Sequence, residues 1–169
     1  TAIQNTALSA RRAISEENKP ATTSFISLYS FLIGAWAENR LKKLLYEKGC
    51  LSKDVRQRIL TIDSQLERWS KAVEIAVRKH YGVPHSALNN SNLPFSVFAR
   101  FSVLNEIIQI DLKQIIEIRN KLAHGQWVYP FNSDESGIES VKYNFLQNEN
   151  LLSLQFRFNM ISSLADIIH

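Results

Sequence analysis

The sequence of 169 residues is poor in side chains that form cross-links or bind metals. Cys50 is its only cysteine, which excludes an intramolecular disulfide and a thiolate metal cluster and favours a reducing, cytoplasmic compartment. The four histidines, at positions 80, 85, 124 and 169, lack the spacing that puts two metal ligands on one helix face. The sequence therefore predicts neither a cofactor nor a bound metal.

Long apolar runs, low-complexity tracts and a strong charge of one sign are also missing. The longest nearly apolar run, residues 25–37, is too short to span a bilayer, so we expect a buried helix there and no membrane partner. Twenty Lys and Arg against sixteen Asp and Glu give a net charge of +4, which favours a polyanionic partner only mildly. Length and a hydrophobic content of 45% fit a single domain, residues 1–169.

Helical periodicity, by contrast, is present along most of the chain. It predicts an all-α bundle of about five helices, over residues 1–19, 22–48, 52–79, 94–124 and 151–169. Helix breakers mark residues 81–94 as a loop and residues 132–137 as a polar turn. Residues 141–145 alternate like a strand, so both a small hairpin after residue 125 and an irregular loop are compatible with the sequence.

The predicted helix over residues 52–79 is basic. Arg68, Lys71 and Arg78 are among its cations, and nearby acids such as Glu74 offset part of their charge. Two interpretations follow: a solvated surface, or a stripe along which RNA binds.

The predicted helix over residues 94–124 is the most apolar. On a helical wheel that advances about 100° per residue, four apolar side chains fall within about 40° of Leu122: Leu104, Ile108, Ile115 and Ile118. Arg119 falls about 60° from Leu122, inside this apolar sector, where a guanidinium needs an acid, an anion or a wet cavity. Asp111 lies about 20° from the centre of the sector, and we expect it to form an ion pair with a buried cation.

Three polar residues gather where this helix ends. Asn120 and His124 are four residues apart and share one face, and Gly125 is the usual residue just past a helix end. His124 suits proton transfer near neutral pH, and the planar fork of Arg119 suits a phosphoryl group. The alternative is that His124 only caps carbonyl groups and Arg119 only pairs with a neighbouring acid.

Residues 119–124, RNKLAH, resemble the R-x4-6-H signature of the HEPN superfamily, including its polar residue straight after the arginine. The resemblance implies a HEPN-like bundle and a metal-independent endoribonuclease of a toxin–antitoxin or anti-phage system, with the MAE-like nucleases as a candidate subgroup. It implies Arg119, Asn120 and His124 as catalytic residues. It also implies RNA as substrate, a homodimer that pools two signatures, and a protein antitoxin, such as a nucleotidyltransferase-type protein, as a partner.

Five further residues are candidates for substrate binding or for support of the site: Glu38, Arg40, Lys121, Gln126 and Trp127. Lys121 belongs to the signature, although it points elsewhere on the wheel, and two of the others follow the terminal glycine. The remaining two come from residues 36–41, WAENRL, which resemble the early helix of some HEPN nucleases. Glu38 is a candidate partner for the signature arginine, or it pairs with Lys42 four residues later.

RNA carries its own nucleophile, the 2′-hydroxyl group. Its cleavage needs a base, an acid and a positive charge beside the phosphorane, and His124 and Arg119 can supply these. Asn120 can orient the imidazole or hold a phosphate oxygen. Two alternatives stay open: a HEPN-like module that binds a nucleotide or RNA, or dimerises, without catalysis, and an unrelated helical regulatory domain.

Overall fold

The computed structural model of the protein describes residues 1–83, 86–134 and 136–169. Pro84 and His85 of the predicted loop and Glu135 of the predicted turn lie outside the described residues. The described residues form helices, loops and one isolated bridge, which confirms the predicted all-α class. In this part of the chain, no helix combines the length and the apolar character needed to cross a bilayer.

The helices follow the predicted order, with two additions. Their bounds are α1 (Ala2–Ser15), α2 (Lys19–Tyr46), α3 (Lys53–Leu60), α4 (Gln65–Tyr81), α5 (Phe95–Ile107), a π turn (Ile108–Leu112), α6 (Lys113–Ala123), α7 (Ser140–Gln147) and α8 (Leu151–Ile168). Because α5, the π turn and α6 follow one another without a break, the described residues form seven helices rather than about five.

The first additional helix arises because residues 52–79 form α3 and α4 rather than one helix. Ser52 caps α3 as the sequence predicts, with its hydroxyl accepting the backbone N–H of Val55. Ser64 then starts α4 by accepting the backbone N–H of Glu67. Ser64 and Glu67 have the spacing of a capping box, a start signal that hydrophobic periodicity overlooks.

The second additional helix, α7, lies where the sequence allowed either a small hairpin or an irregular loop, and neither alternative holds for residues 141–145. A strand would place Val141 and Phe145 on one buried face, but Val141 is 69% exposed. Lys142 instead turns inward and forms an ion pair with Glu117 of α6. Lys142 and half-buried Phe145 are three residues apart, which places them on one face of a helix.

Helix α2 begins at Lys19, three residues before its predicted start. Asn18 accepts the backbone N–H of Ala21, and Pro20 lies in the first turn, where a missing N–H is tolerated. Pro20 therefore belongs to the start of α2.

The π turn changes which side chains of the long helix are buried. The N–H of Lys113 bonds to the carbonyl of Ile108, five residues back, and such a turn takes up one residue more than an α turn. Ile108 and Leu112 are both buried, while Asp111 is exposed. The predicted burial of Asp111 is wrong because the helical wheel assumed regular α geometry throughout.

The chain packs as two compact units. The first comprises Thr1–Ala37 and Gln114–Asn159, and the second comprises Glu38–Lys113 and Met160–His169. Buried side chains of the first unit include Tyr29, Ile33, Ile115, Ile118, Leu122 and Leu154. In the second unit, α4 packs against α3, α5 and the π turn and buries Trp69 completely. That the whole chain is one domain stays a prediction.

Candidate active site

Helix α6 ends with the hydrogen bonds of a Schellman motif. The N–H of Gln126 bonds to the carbonyl of Lys121 at 3.0 Å, and the N–H of Gly125 bonds to the carbonyl of Leu122 at 3.1 Å. Gly125 has a φ of 79°, a left-handed conformation that glycine adopts at little cost. The predicted glycine stop is confirmed, and His124 lies between the last residue of α6 and this glycine.

Arg119 and Asn120 are joined side chain to side chain. Nη1 of the guanidinium donates to Oδ1 of Asn120 at 3.0 Å. The backbone N–H of His124 bonds to the carbonyl of Asn120 at 3.1 Å, which places the imidazole about one turn further along. Arg119 is half-buried, whereas Asn120 and His124 are exposed. The three predicted catalytic residues therefore lie at one end of α6, where an exposed imidazole can meet a ligand.

Gly34 of α2 makes room for the stem of Arg119. A Cβ atom at Gly34 would lie 2.4 Å from Cβ and 2.8 Å from Cγ of Arg119, and 3.2 Å from the carbonyl oxygen of Ile115. Separations near 2.4 Å are far inside the carbon–carbon contact distance, so only glycine permits this approach of α2 to α6. Gly34 was not among the predicted site residues, and its one signal in the sequence is a glycine within an apolar helix.

Lys121 and Gln126 fasten the loop that follows α6. Nζ of Lys121 donates to the carbonyl of Phe131 and pairs with Glu139 at 3.2 Å. Oε1 of Gln126 accepts the backbone N–H of Phe131 at 2.9 Å. Phe131 also bridges Ile138, and this bridge is all that the described residues form of the predicted hairpin. Both predicted supporting residues thus hold this loop in place.

A groove of about 520 Å³ begins at His124 and follows the loop. Trp127, Tyr129 and Phe131 line it at alternate positions, with 41%, 52% and 40% of their surfaces exposed. Val128, which is 54% exposed, lines the groove as well. Trp127 was a predicted site residue, but Tyr129 and Phe131 were not, although the alternation of aromatic residues is visible in the sequence.

Neighbouring rings hold two of these aromatic side chains. The ring of Trp127 lies 6.5 Å from that of Phe31, measured between centroids. The ring of Tyr129 lies 6.0 Å from that of Tyr143, with only 4° between their planes. Such contacts fix ring orientation while leaving part of each ring exposed.

Glu38 and Arg40 belong to the second unit and have partners within it. Nζ of Lys42 lies 2.7 Å from a carboxylate oxygen of Glu38, which is one of the two predicted pairings. Arg40 pairs with Glu47 at 3.0 Å and lies 3.8 Å from Asp166. A role of Glu38 or Arg40 in substrate binding stays a prediction.

Among the described residues, no three His, Cys, Asp or Glu side chains lie close enough together to hold a metal ion. Comparisons of the chain with protein-family models, with curated proteins and with solved structures find no match in any of the three. The HEPN assignment therefore rests on residues 119–124 and their surroundings, and it stays a prediction.

Proposed function

We propose that the protein is a metal-independent endoribonuclease with Arg119, Asn120 and His124 as its catalytic residues. The observation that carries the proposal is the end of α6, where Arg119 bonds to Asn120 and an exposed His124 lies about one turn away. These side chains offer a positive charge for the phosphoryl group and an imidazole for proton transfer. The two roles that a bound metal often takes in phosphoryl chemistry thus have candidate side chains.

The reaction uses the 2′-hydroxyl group of the RNA as nucleophile. A base takes the hydroxyl proton, the oxygen bonds to phosphorus, and the bond from phosphorus to the 5′-oxygen breaks as an acid protonates that oxygen. Arg119 binds non-bridging oxygens of the phosphorane through its planar fork, and Asn120 holds the guanidinium in position. The products are a 2′,3′-cyclic phosphate and a 5′-hydroxyl.

A single histidine cannot act as base and acid in the same step, so the proposal includes a homodimer with adjacent signatures. His124 of one copy takes the proton from the 2′-hydroxyl, and His124 of the second copy protonates the 5′-oxygen. A two-fold interface brings the same patch of both copies together. The exposure of Asn120 and His124 at a helix end fits this arrangement. A toxin–antitoxin or anti-phage setting in the cytoplasm, with an antitoxin protein as partner, belongs to the same proposal.

Cleavage of single-stranded RNA in EDTA tests the role of Arg119. Arg119→Ala removes the charge beside the phosphorane, and Arg119→Lys rescues poorly because an ammonium group lacks the planar fork. Arg12→Ala is the matched control, since it removes the same charge from an exposed pair with Glu16. Circular dichroism confirms that each variant is folded. Equal cleavage by Arg119→Ala and Arg12→Ala would contradict the proposal.

The dimer has its own test. Light scattering at the protein concentrations of the cleavage assay gives the mass of the active species. We expect about twice the 19.4 kDa of one chain. A fully active monomer would contradict the shared site while leaving the role of Arg119 to the previous experiment.

The aromatic groove beside His124 favours a second function, a HEPN-like module that binds a nucleotide or RNA without cutting it. It predicts that wild-type protein binds RNA and leaves it intact. Retained binding with no cleavage by the wild type would select this alternative.

A further inference from the structure

The groove beside His124 has no part in the proposed proton transfers. Single exposed aromatic residues are ordinary on a protein surface, but a contiguous exposed apolar patch marks a binding surface. Trp127, Tyr129 and Phe131 line one groove together with the imidazole of His124. The lining therefore suits a ligand that offers flat apolar faces close to a phosphate.

Hydrogen bonds and an ion pair within the protein hold the loop that carries the rings, without any ligand. Lys121 bonds to the carbonyl of Phe131, Gln126 bonds to its N–H, and Glu139 pairs with Lys121. Farther along, the N–H of Glu139 bonds to the carbonyl of Pro130 at 2.8 Å. Rings on a loop held in this way lose little further conformational freedom when a ligand binds. Stacking on them therefore adds more to affinity than stacking on rings of a flexible loop.

We propose that this groove is a nucleobase subsite, in which bases of a single-stranded RNA stack on Trp127, Tyr129 and Phe131 while the adjoining phosphate lies at Arg119 and His124. This inference rests on the proposed function and specifies that the RNA substrate is single-stranded. A base inside a duplex is already stacked on both faces and cannot offer one to a protein. Stacking accepts every base, so the subsite selects unpaired strands with little sequence preference.

The chain contains a reporter for this subsite. It has three tryptophans, of which Trp69 is fully buried and Trp36 is half-buried against Phe158, with ring centroids 4.5 Å apart. Trp127, at 41% exposure, is the one that lines the groove. A base stacked on Trp127 quenches its fluorescence, and Trp127→Phe identifies the quenched signal because it keeps a ring but removes that emission.

The probe is a short single-stranded RNA with 2′-O-methyl groups, which lacks the nucleophile and stays intact. Two further probes separate base from phosphate: the same strand annealed to its complement, and an abasic strand of equal charge. We expect quenching by the intact single strand and little by the other two. Binding by the abasic strand as tight as that of the intact strand would overturn the proposal, because phosphate contacts alone would then explain it.

The second experiment measures how tightly groove variants bind the same strand, using the fluorescence anisotropy of a dye attached to it. Trp127→Leu and Tyr129→Leu each remove one ring, and we expect each to weaken binding about 5- to 150-fold, as loss of one stacking partner does. Phe95→Leu is the matched control, because Phe95 is 77% exposed and lies outside the groove, on α5. Unchanged binding by Tyr129→Leu would overturn the proposal.

The outcomes separate this inference from the proposed ribonuclease. Cleavage of RNA with unchanged binding by both groove variants refutes the subsite and leaves the ribonuclease standing. Base-dependent quenching without any cleavage of unmodified RNA supports the subsite and refutes the ribonuclease. Trp127 fluorescence that varies with protein concentration and ignores the strand assigns the groove to a second copy and overturns the inference.

Discussion

Helices α4 and α6 end in the same way and yet differ in what their basic residues contact. Each is followed by a glycine in the left-handed region, Gly82 with a φ of 66° and Gly125 with a φ of 79°. Each also has an arginine in its last turns and an exposed histidine, His80 within α4 and His124 just past α6, and α4 belongs to the more basic stretch of sequence. Charge alone would place a polyanion site at α4.

The cations of α4 bind the protein itself. Arg78 donates to Glu74 at 2.7 Å and to the carbonyls of Val83 and Ser86 at 3.0 and 2.7 Å. Lys79 donates to the carbonyl of Cys50 at 3.1 Å. The bonds of Arg78 take up three of its five N–H donors.

Arg68, also on α4, caps the helix before it. Its guanidinium donates to the carbonyl of Leu60, the last residue of α3, and to the carbonyl of Ile62, two residues later. An RNA-binding stripe along this stretch would need these cations free, so the contacts favour a structural role for the basic helix. At the end of α6 the guanidinium of Arg119 bonds to the side chain of Asn120, and the imidazole of His124 is exposed. Our proposal therefore places the site at α6, although α4 is the more basic helix.

The largest expected effect comes from replacing the histidine at the end of α6, with the histidine at the end of α4 as the control. His124→Ala removes proton transfer and should slow RNA cleavage by about 10²–10⁴-fold. His80→Ala, at the exposed end of α4, should leave the rate unchanged. Cleavage rates in EDTA measure both. Equal rates for the two variants would erase the proposed distinction between the helix ends.

Gly34→Ala should have the next largest effect. The added Cβ would collide with the stem of Arg119 and displace the guanidinium, and a misplacement of about 1 Å can cost about 100-fold in rate. Overpacking should also lower the free energy of unfolding by about 1–3 kcal/mol. Gly137→Ala is the control, because a Cβ there meets no atom within 4 Å. Wild-type cleavage by Gly34→Ala would show that Arg119 need not occupy this position.

Arg78→Ala should change stability without changing chemistry. It removes the partner of Glu74 and of two carbonyls, so we expect the free energy of unfolding in urea to fall by about 1–3 kcal/mol. The cleavage rate of the folded variant should match that of the wild type. Arg58→Ala, on the exposed surface of α3, is the control for the lost charge. A loss of cleavage in folded Arg78→Ala would place the site, at least in part, at α4.

The smallest expected effect is the contribution of Glu74 to the pH dependence of the free energy of unfolding. Burial alone raises the pKa of Glu74, but hydrogen bonds and charges of Lys71 and Arg78 outweigh it, so the pKa lies below its ordinary value of 4.5. Because the folded-state pKa is lowered, the stabilisation is present above 4.5 and is lost as pH falls through the folded value. We therefore compare urea unfolding at neutral pH with unfolding at a pH well below 4.5. Between these two conditions, the free energy of unfolding should fall more for the wild type than for Glu74→Gln. Equal losses would show that Glu74 gains nothing from its two partners.

The end of α6 was predictable because its signals are local. Gly125 marks the stop, and the buried positions of Ile115, Ile118 and Leu122 follow from a regular helix close to that stop. Farther back the prediction failed at Asp111, because nothing in the local sequence marks the π turn that shifts the phase.

Other features depend on partners distant in sequence. Helix α7 was not predicted, because its inward Lys142 pairs with Glu117 on another helix, 25 residues away in sequence. The role of Gly34 is likewise visible only once α2 lies against Arg119. The break at Ser64 is a different case, since the capping-box spacing of Ser64 and Glu67 stands in the sequence and was overlooked.

The chemistry at the end of α6 is tested most directly by the ends of the cleaved RNA. The measurement is mass spectrometry of fragments made in EDTA from an RNA strand with a single unmodified ribonucleotide among 2′-O-methyl residues. We predict one cut, directly after the unmodified ribonucleotide, with a 2′,3′-cyclic phosphate and a 5′-hydroxyl, made by His80→Ala and not by His124→Ala. Fragments with 5′-phosphate ends, or cuts at 2′-O-methyl residues, would contradict attack by the 2′-hydroxyl and with it the proposed role of Arg119, Asn120 and His124.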